Sequence, residues 1–159
     1  MEIFKMVAVD DYNPLIIYLT YEERQKNRLQ KKTESGDDFL MLANRGKFLH
    51  CGDFLKSSSG KVIKIDCAKE KLLHITCEEP LTLIKVAYHL GNRHAKVQIQ
   101  MSYIRVLADS VLEDMVMGIG AKVVRVYDVF NPEVGAYADH IRNKKSTATI
   151  HEFTDKNGN

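Results

Sequence analysis

This sequence has few cysteines, almost no net charge and no long apolar run, and each shortage removes a class of protein. The cysteines number three, Cys51, Cys67 and Cys77. They are odd in number and lack CxxC spacing, so a disulfide framework or a structural zinc site is not expected, and the thiols read as reduced and partly buried. The formal net charge of +2 is too small to mark a binder of polyanions. No stretch approaches the ~20 apolar residues of a membrane span, and the opening run MEIFKMVAVDDYNP lacks the apolar core of a signal peptide. The expected location is therefore the cytoplasm, without a membrane partner. Also missing are a nucleophile elbow, a phosphate-cradling loop and a convincing acid–base pair, so the chain does not read as an enzyme.

What remains is a chain of 159 residues, 45% hydrophobic and 28% charged, ordinary for a soluble protein and long enough for one domain or two small ones. Residues 1–69 read as strands. Leu15–Leu19 is a short apolar run after the turn signal Asn13–Pro14. Phe39–Ala43 follows a turn around Gly36, and Ser57–Gly60 joins Asp53–Leu55 to the β-branched run Val62–Ile65. Short strands at this spacing predict a small β-sandwich or barrel, a domain suited to docking a partner or peptide. Its one local oddity is Arg24–Lys32, with five cations in nine residues behind Glu22 and Glu23. A charge-guarded edge strand and a docking surface for an acidic protein or RNA both fit that stretch.

Residues 70–138 change period. Lys71–Cys77 is a strand. Pro80 stands at a first helical position behind Glu78 and Glu79, and Leu81, Ile84, Ala87, Tyr88 and Leu90 make an apolar helical stripe that Gly91 would close as a left-handed cap. Val97–Met101 and Tyr103–Leu107 alternate as strands around a turn at Ser102. Ser110–Glu113 has capping-box spacing and opens a second helix, and Lys122–Tyr127 is the last strand. The order β-α-β-β-α-β is that of a ferredoxin-like domain, two helices over one face of a four-stranded antiparallel sheet. Residues 139–159 lose periodicity and read as a mobile tail, with 147–153 able to pair as a strand in a complex. The expected fold class is α+β: an N-terminal small β-sandwich or barrel, a ferredoxin-like βαββαβ domain and a flexible C-terminal tail.

The six histidines, His50, His74, His89, His94, His140 and His151, show neither HxxxH nor HExxH spacing, so no metal site assembles from local sequence. Two-fold symmetry removes that obstacle, because a residue near the axis meets its own copy and supplies two ligands from one position. His94, three residues past Gly91 in a short loop, is best placed for that role. His140 and His151 lie in the tail, where a mobile imidazole can complete a coordination sphere and release it. His89 falls inside the helix, His74 inside a strand, and His50 beside Cys51, where neighbours on a strand point to opposite faces.

The run Tyr88–His94, YHLGNRH, resembles the signature of the UreE family of urease accessory nickel metallochaperones. The likeness continues through Arg45–Lys47, Gly52–Leu55, Asp109–Met115 and Phe130–Tyr137, in family order. The resemblance implies a homodimer joined through its second domain, with His94 of each protomer binding nickel at the interface and His140 or His151 adding ligands. Zinc and copper also suit imidazole donors and compete for them. It implies delivery of Ni(II) to the urease maturation complex, which includes the GTPase UreG. Many relatives end in a histidine-rich run that is absent here, so about one tight ion per dimer is expected, or one per pair of dimers if these assemble. The competing class is an RNA- or ribosome-associated binding module without metal; the low net charge and the lack of an RRM aromatic motif count against it.

Overall fold

A computed structural model of the chain describes residues 14–32, 38–42, 48–57, 60, 62–133 and 151–153. The chain divides into two compact units, residues 1–68 with 145–159, and residues 69–144. No helix among the described residues is long and apolar enough to cross a membrane.

The first unit contains β1 (Leu15–Leu19), a one-turn helix α1 (Tyr21–Arg24), β2 (Arg28–Lys32), β3 (Asp38–Leu42), β4 (Phe54–Ser57) and β5 (Val62–Cys67). Its sixth strand, β10 (His151–Phe153), comes from the far end of the chain. The sheet order is β1-β5-β4-β10-β3-β2. Strand β10 runs parallel to β4 and antiparallel to β3, joining the two halves of the sheet. Of the segment read as a mobile tail, these three residues thus form a strand; 139–150 and 154–159 lie outside the described residues. A three-residue strand has no periodic signal of its own, because both its neighbours are distant in sequence.

Alternation along β5 turns Ile63 and Ile65 inward. They form one buried cluster with Ile17, Leu19, Leu29, Met41, Leu49 and Leu55. That cluster takes side chains from both edge strands, β1 and β2, which requires a sheet that folds over on itself. Lys31 Nζ, on β2, donates to Tyr18 O on β1 at 2.9 Å and pairs with Glu23 at 3.0 Å. Glu23 also completes a capping box with Thr20, accepting from Thr20 N–H at 2.9 Å while Thr20 Oγ1 accepts from Glu23 N–H at 3.2 Å. The basic stretch is thus divided among structural tasks. Arg24 is 3% exposed with its guanidinium over the Tyr21 ring, Lys31 ties two strands, and β2 is a charged edge.

The cysteine reading is corrected. Cys51 and Cys67, expected to be reduced, form a disulfide with Cα atoms 5.4 Å apart. A turn at residues 50–53 brings Cys51 back over the end of β5, a juxtaposition that their spacing does not reveal. Cys77 is free and half-buried.

The second unit contains β6 (Lys69–Thr76), α2 (Pro80–Asn92), β7 (Gln98–Ile99), β8 (Ile104–Leu107), α3 (Ser110–Gly118) and β9 (Lys122–Val129). The strands lie in the order β7-β8-β6-β9 and all pairs are antiparallel. This is the ferredoxin-like arrangement. Leu73, Ile75, Ile104 and Val106 of the sheet meet Val86 and Leu90 of α2 and Val116 of α3 in one core. Pro80 opens α2 as expected. The N-cap of α3 is Asp109 rather than Ser110, its carboxylate accepting from Leu112 N–H at 2.8 Å. Glu113 is therefore not a capping-box partner; it holds Arg125 of β9.

Residues of the opposite parity lie on the sheet's other face. There Arg105 Nε donates to His74 Nδ1 at 3.1 Å, Arg105 Nη1 donates to Asp128 at 2.9 Å, and the His74 ring packs on Tyr103. Burial and the Arg105 charge lower the His74 pKa below the ordinary imidazole value of 6.5, so protonation opposes folding. The network's contribution is full above about 6.5 and is lost as pH falls below it toward the folded value. His74→Gln keeps an acceptor for Arg105 but does not titrate. On urea unfolding from about pH 8 to about pH 5, wild type should lose stability relative to this variant; a constant difference between the two would contradict the network.

Candidate metal centre

The backbone at the end of α2 is the starting point. Gly91 does not supply the left-handed cap: the helix runs through it to Asn92, with Arg93 as C-cap. The left-handed residue is His94 itself, φ +55°, the one non-glycine residue with positive φ among those described. Ala95 N–H donates to Leu90 O at 3.2 Å and His94 N–H donates to Gly91 O at 2.9 Å. Those two bonds are the six-to-one and five-to-two pair of a Schellman motif, a position that ordinarily takes glycine. Leu90 is fully buried and Ala95 packs against the same core, supplying the apolar contact that accompanies the motif. The imidazole therefore stands exposed on a backbone with little freedom.

Two neighbouring segments hold this corner. Arg93 Nε donates to Met115 Sδ of α3 at 2.9 Å. Beyond the corner, Glu133 N–H donates to Val97 O at 2.8 Å and Asn131 N–H donates to Gln98 Oε1 at 3.2 Å. Phe130, immediately before them, is fully buried.

The outer face of α2 departs from expectation. Leu83, Val86, Ala87 and Leu90 face the core, whereas Leu81, Ile84 and Tyr88 are 62%, 65% and 65% exposed. Their spacing of three and four residues makes a second apolar stripe, on the side away from the core. It continues into an open groove lined by Ile84, Ala87, Ile99 and Met101. The sequence mixed the two stripes; plotting the helix by angle separates 81, 84 and 88 from 83, 86, 87 and 90.

The other histidines among the described residues have settings of their own. His89 is exposed, with its ring edge-on to Tyr88. His50 lies 3.7 Å from Asp53 in the first unit, and His74 is engaged by Arg105. His151 is placed by its backbone as the first residue of β10, and His140 lies outside the described residues. Among the described residues no group of three or more His, Cys, Asp or Glu side chains could hold a metal. A metal centre at His94 thus needs donors from a second chain or from residues outside that set.

Models of the N-terminal and C-terminal domains of the UreE urease accessory protein match residues 6–68 and 70–155. The chain belongs to the UreE family. It is 42% identical over 123 residues to the urease accessory protein UreE of Proteus mirabilis (strain HI4320), covering 77% of this chain and 76% of the relative. The UreE of Janthinobacterium sp. (strain Marseille) is 40% identical over 121 residues, 76% and 71% of the two chains. That of Marinomonas sp. (strain MWYL1) is 37% identical over 140 residues, 87% and 95%. UreE is an accessory protein and not an enzyme.

The UreE-like blocks acquire a physical meaning in this geometry. GNRH builds the corner, Asp109–Met115 caps α3 and delivers the sulfur that Arg93 meets, and Phe130–Glu133 pins the strand beyond the corner. Gly52–Leu55 shapes a turn in the first unit, where Gly52 takes φ +91°. Arg45–Lys47 and residues 134–137 lie outside the described residues.

A histidine in a glycine position costs stability: the left-handed conformation of an L-residue is unfavourable by about 1 kcal/mol or more. His94→Gly should raise the unfolding free energy of the metal-free protein by about 1 kcal/mol, measured by urea denaturation. A loss of stability would mean that the imidazole serves the fold.

Proposed function

We propose that this chain is a nickel metallochaperone of urease maturation, cytoplasmic and homodimeric, which carries Ni(II) between a symmetric pair of His94 imidazoles. The observation that carries the reading is the pairing of His94, exposed just past the end of α2 with its backbone at φ +55°, with the outward stripe Leu81, Ile84 and Tyr88 on that helix. Exposed apolar side chains of this size, in line on one helix, are what a second copy would cover. Each is worth roughly 1.5–3 kcal/mol when fully buried. A two-fold axis beside α2 would bring the two His94 residues together and double the donors available from one position.

Nickel accepts imidazole nitrogen readily, and so do copper and zinc, with copper the tightest. Zinc and copper therefore compete, and selectivity rests on metal supply and partner docking rather than affinity. One imidazole pair leaves the ion's sphere incomplete. His140 or His151 would fill it, the latter from the start of β10. The acceptor we propose is the urease maturation complex with its GTPase UreG. Pairing of two dimers around one ion is a variant of the same site.

The test is calorimetric titration of Ni(II) into wild type and His94→Ala, with mass measured by light scattering. The expected result is a dimer binding about half an ion per chain or less, with the tight phase absent in the variant although it remains dimeric. Tight binding that survives the substitution would remove His94 from the site. A monomer with no tight binding would remove the symmetric site altogether.

A further inference from the structure

The Cys51–Cys67 pair lies in the first unit, away from the histidine corner in the chain, and the metal-delivery reading does not use it. Its setting separates it from an ordinary structural bridge. Cys51 is exposed in the turn before β4, and Cys67 is buried at the last position of β5. The turn is held in place without sulfur. His50 N–H donates to Asp53 Oδ2 at 2.7 Å, Gly52 N–H donates to Ile65 O at 2.8 Å, and Ile65 N–H donates to Asp53 O at 2.8 Å. The end of β5 is equally held: Cys67 pairs with Leu19 in the ladder to β1, and Ala68 N–H donates to Leu19 O at 2.9 Å. Backbone hydrogen bonds thus fix both Cα positions, 5.4 Å apart and in the middle of the range a disulfide needs. The same backbone accommodates two thiols or one cystine.

We propose that Cys51 and Cys67 form a reversible dithiol–disulfide switch that sets the rigidity of the N-terminal unit according to the thiol–disulfide poise around it. The oxidant is a low-molecular-weight disulfide of the glutathione class. The Cys51 thiolate attacks one sulfur of that disulfide, forming a mixed disulfide at Cys51 and releasing one small thiol. The Cys67 thiolate then attacks the Cys51 sulfur, forming the internal bond and releasing the second small thiol. Two electrons leave the protein, two protons are lost from its thiols, and one small disulfide becomes two small thiols; reduction is the reverse. Exposure makes Cys51 the entry point, and burial makes Cys67 the resolving thiol. Cys77 takes no part: burial raises its pKa, which leaves less thiolate, and it belongs to the other unit.

The two cysteines are separated by 16 positions in the sequence, so oxidation closes a loop and removes freedom chiefly from the unfolded chain. It fastens the turn before β4 to the end of β5, and through the β1–β5 ladder to β1. The oxidised unit should resist unfolding and proteolysis, while the reduced unit keeps its fold and opens more readily.

The test equilibrates the full chain in buffers of varied reduced-to-oxidised glutathione ratio, blocks free thiols with an alkylating agent and counts them by intact mass. The chain has three cysteines, so the switch predicts conversion between a triply and a singly alkylated species in one two-electron step. The oxidised form should melt higher by on the order of 10 °C. Cys51→Ser, at the exposed position, should abolish both the conversion and the melting difference, as should Cys67→Ala, whereas Cys77→Ser should retain them. Three results would each overturn the proposal: a bond that persists in a large excess of reduced glutathione, thiols that stay free in oxidised glutathione, or equal melting of the two forms.

Discussion

The second unit turns on the way α2 ends. Two backbone hydrogen bonds, from Ala95 to Leu90 O and from His94 to Gly91 O, close the helix only if the residue between them is left-handed. A glycine stands three residues earlier and is not used for this. The chain puts an L-residue with a large polar side chain there instead, at a conformational cost of about 1 kcal/mol or more. Tolerated strain of this kind points to a task outside folding. The remainder of the corner supplies the rigidity that the task needs. Leu90 and Ala95 bury its inner side, Arg93 reaches the sulfur of Met115, and Asn131 and Glu133 hold the strand beyond.

An exposed imidazole on a constrained backbone is not by itself a metal site, and no cluster of three donors exists among the described residues. The same helix carries the complementary feature, because Leu81, Ile84 and Tyr88 present an apolar stripe to solvent. In the proposed dimer, a symmetric contact along that stripe would cover the apolar surface and pair the imidazoles in one act. The charge distribution gives no matching argument for nucleic acid. In the stretch with the highest density of cations, Arg24 is buried and Lys31 bridges β2 to β1.

Local signals made much of this legible. Pro80 marks the start of α2, alternation marks β7 and β8, and the order of elements gives the ferredoxin-like unit, because each cue acts within a few residues. The run YHLGNRH singles out His94 but not its left-handed backbone. What could not be read depends on contacts between distant segments. Strand β10 is specified by β3 and β4, more than ninety residues earlier in the sequence. Cys51 meets Cys67 only through the turn at 50–53. The two apolar faces of α2 look alike in composition, and only packing separates the inner from the outer. Asp109 stands one residue before the expected cap of α3 and takes Leu112 N–H, which moves Glu113 out of capping-box register and leaves it to Arg125.

The central claim is that one ion lies on a two-fold axis between two copies of His94. Diffraction from nickel-loaded crystals, collected on either side of the nickel absorption edge, tests it most directly. The account predicts one strong anomalous peak on the axis relating two protomers, within bonding distance of both His94 imidazoles. A peak coordinated by residues of a single protomer, or one remote from His94, would contradict it.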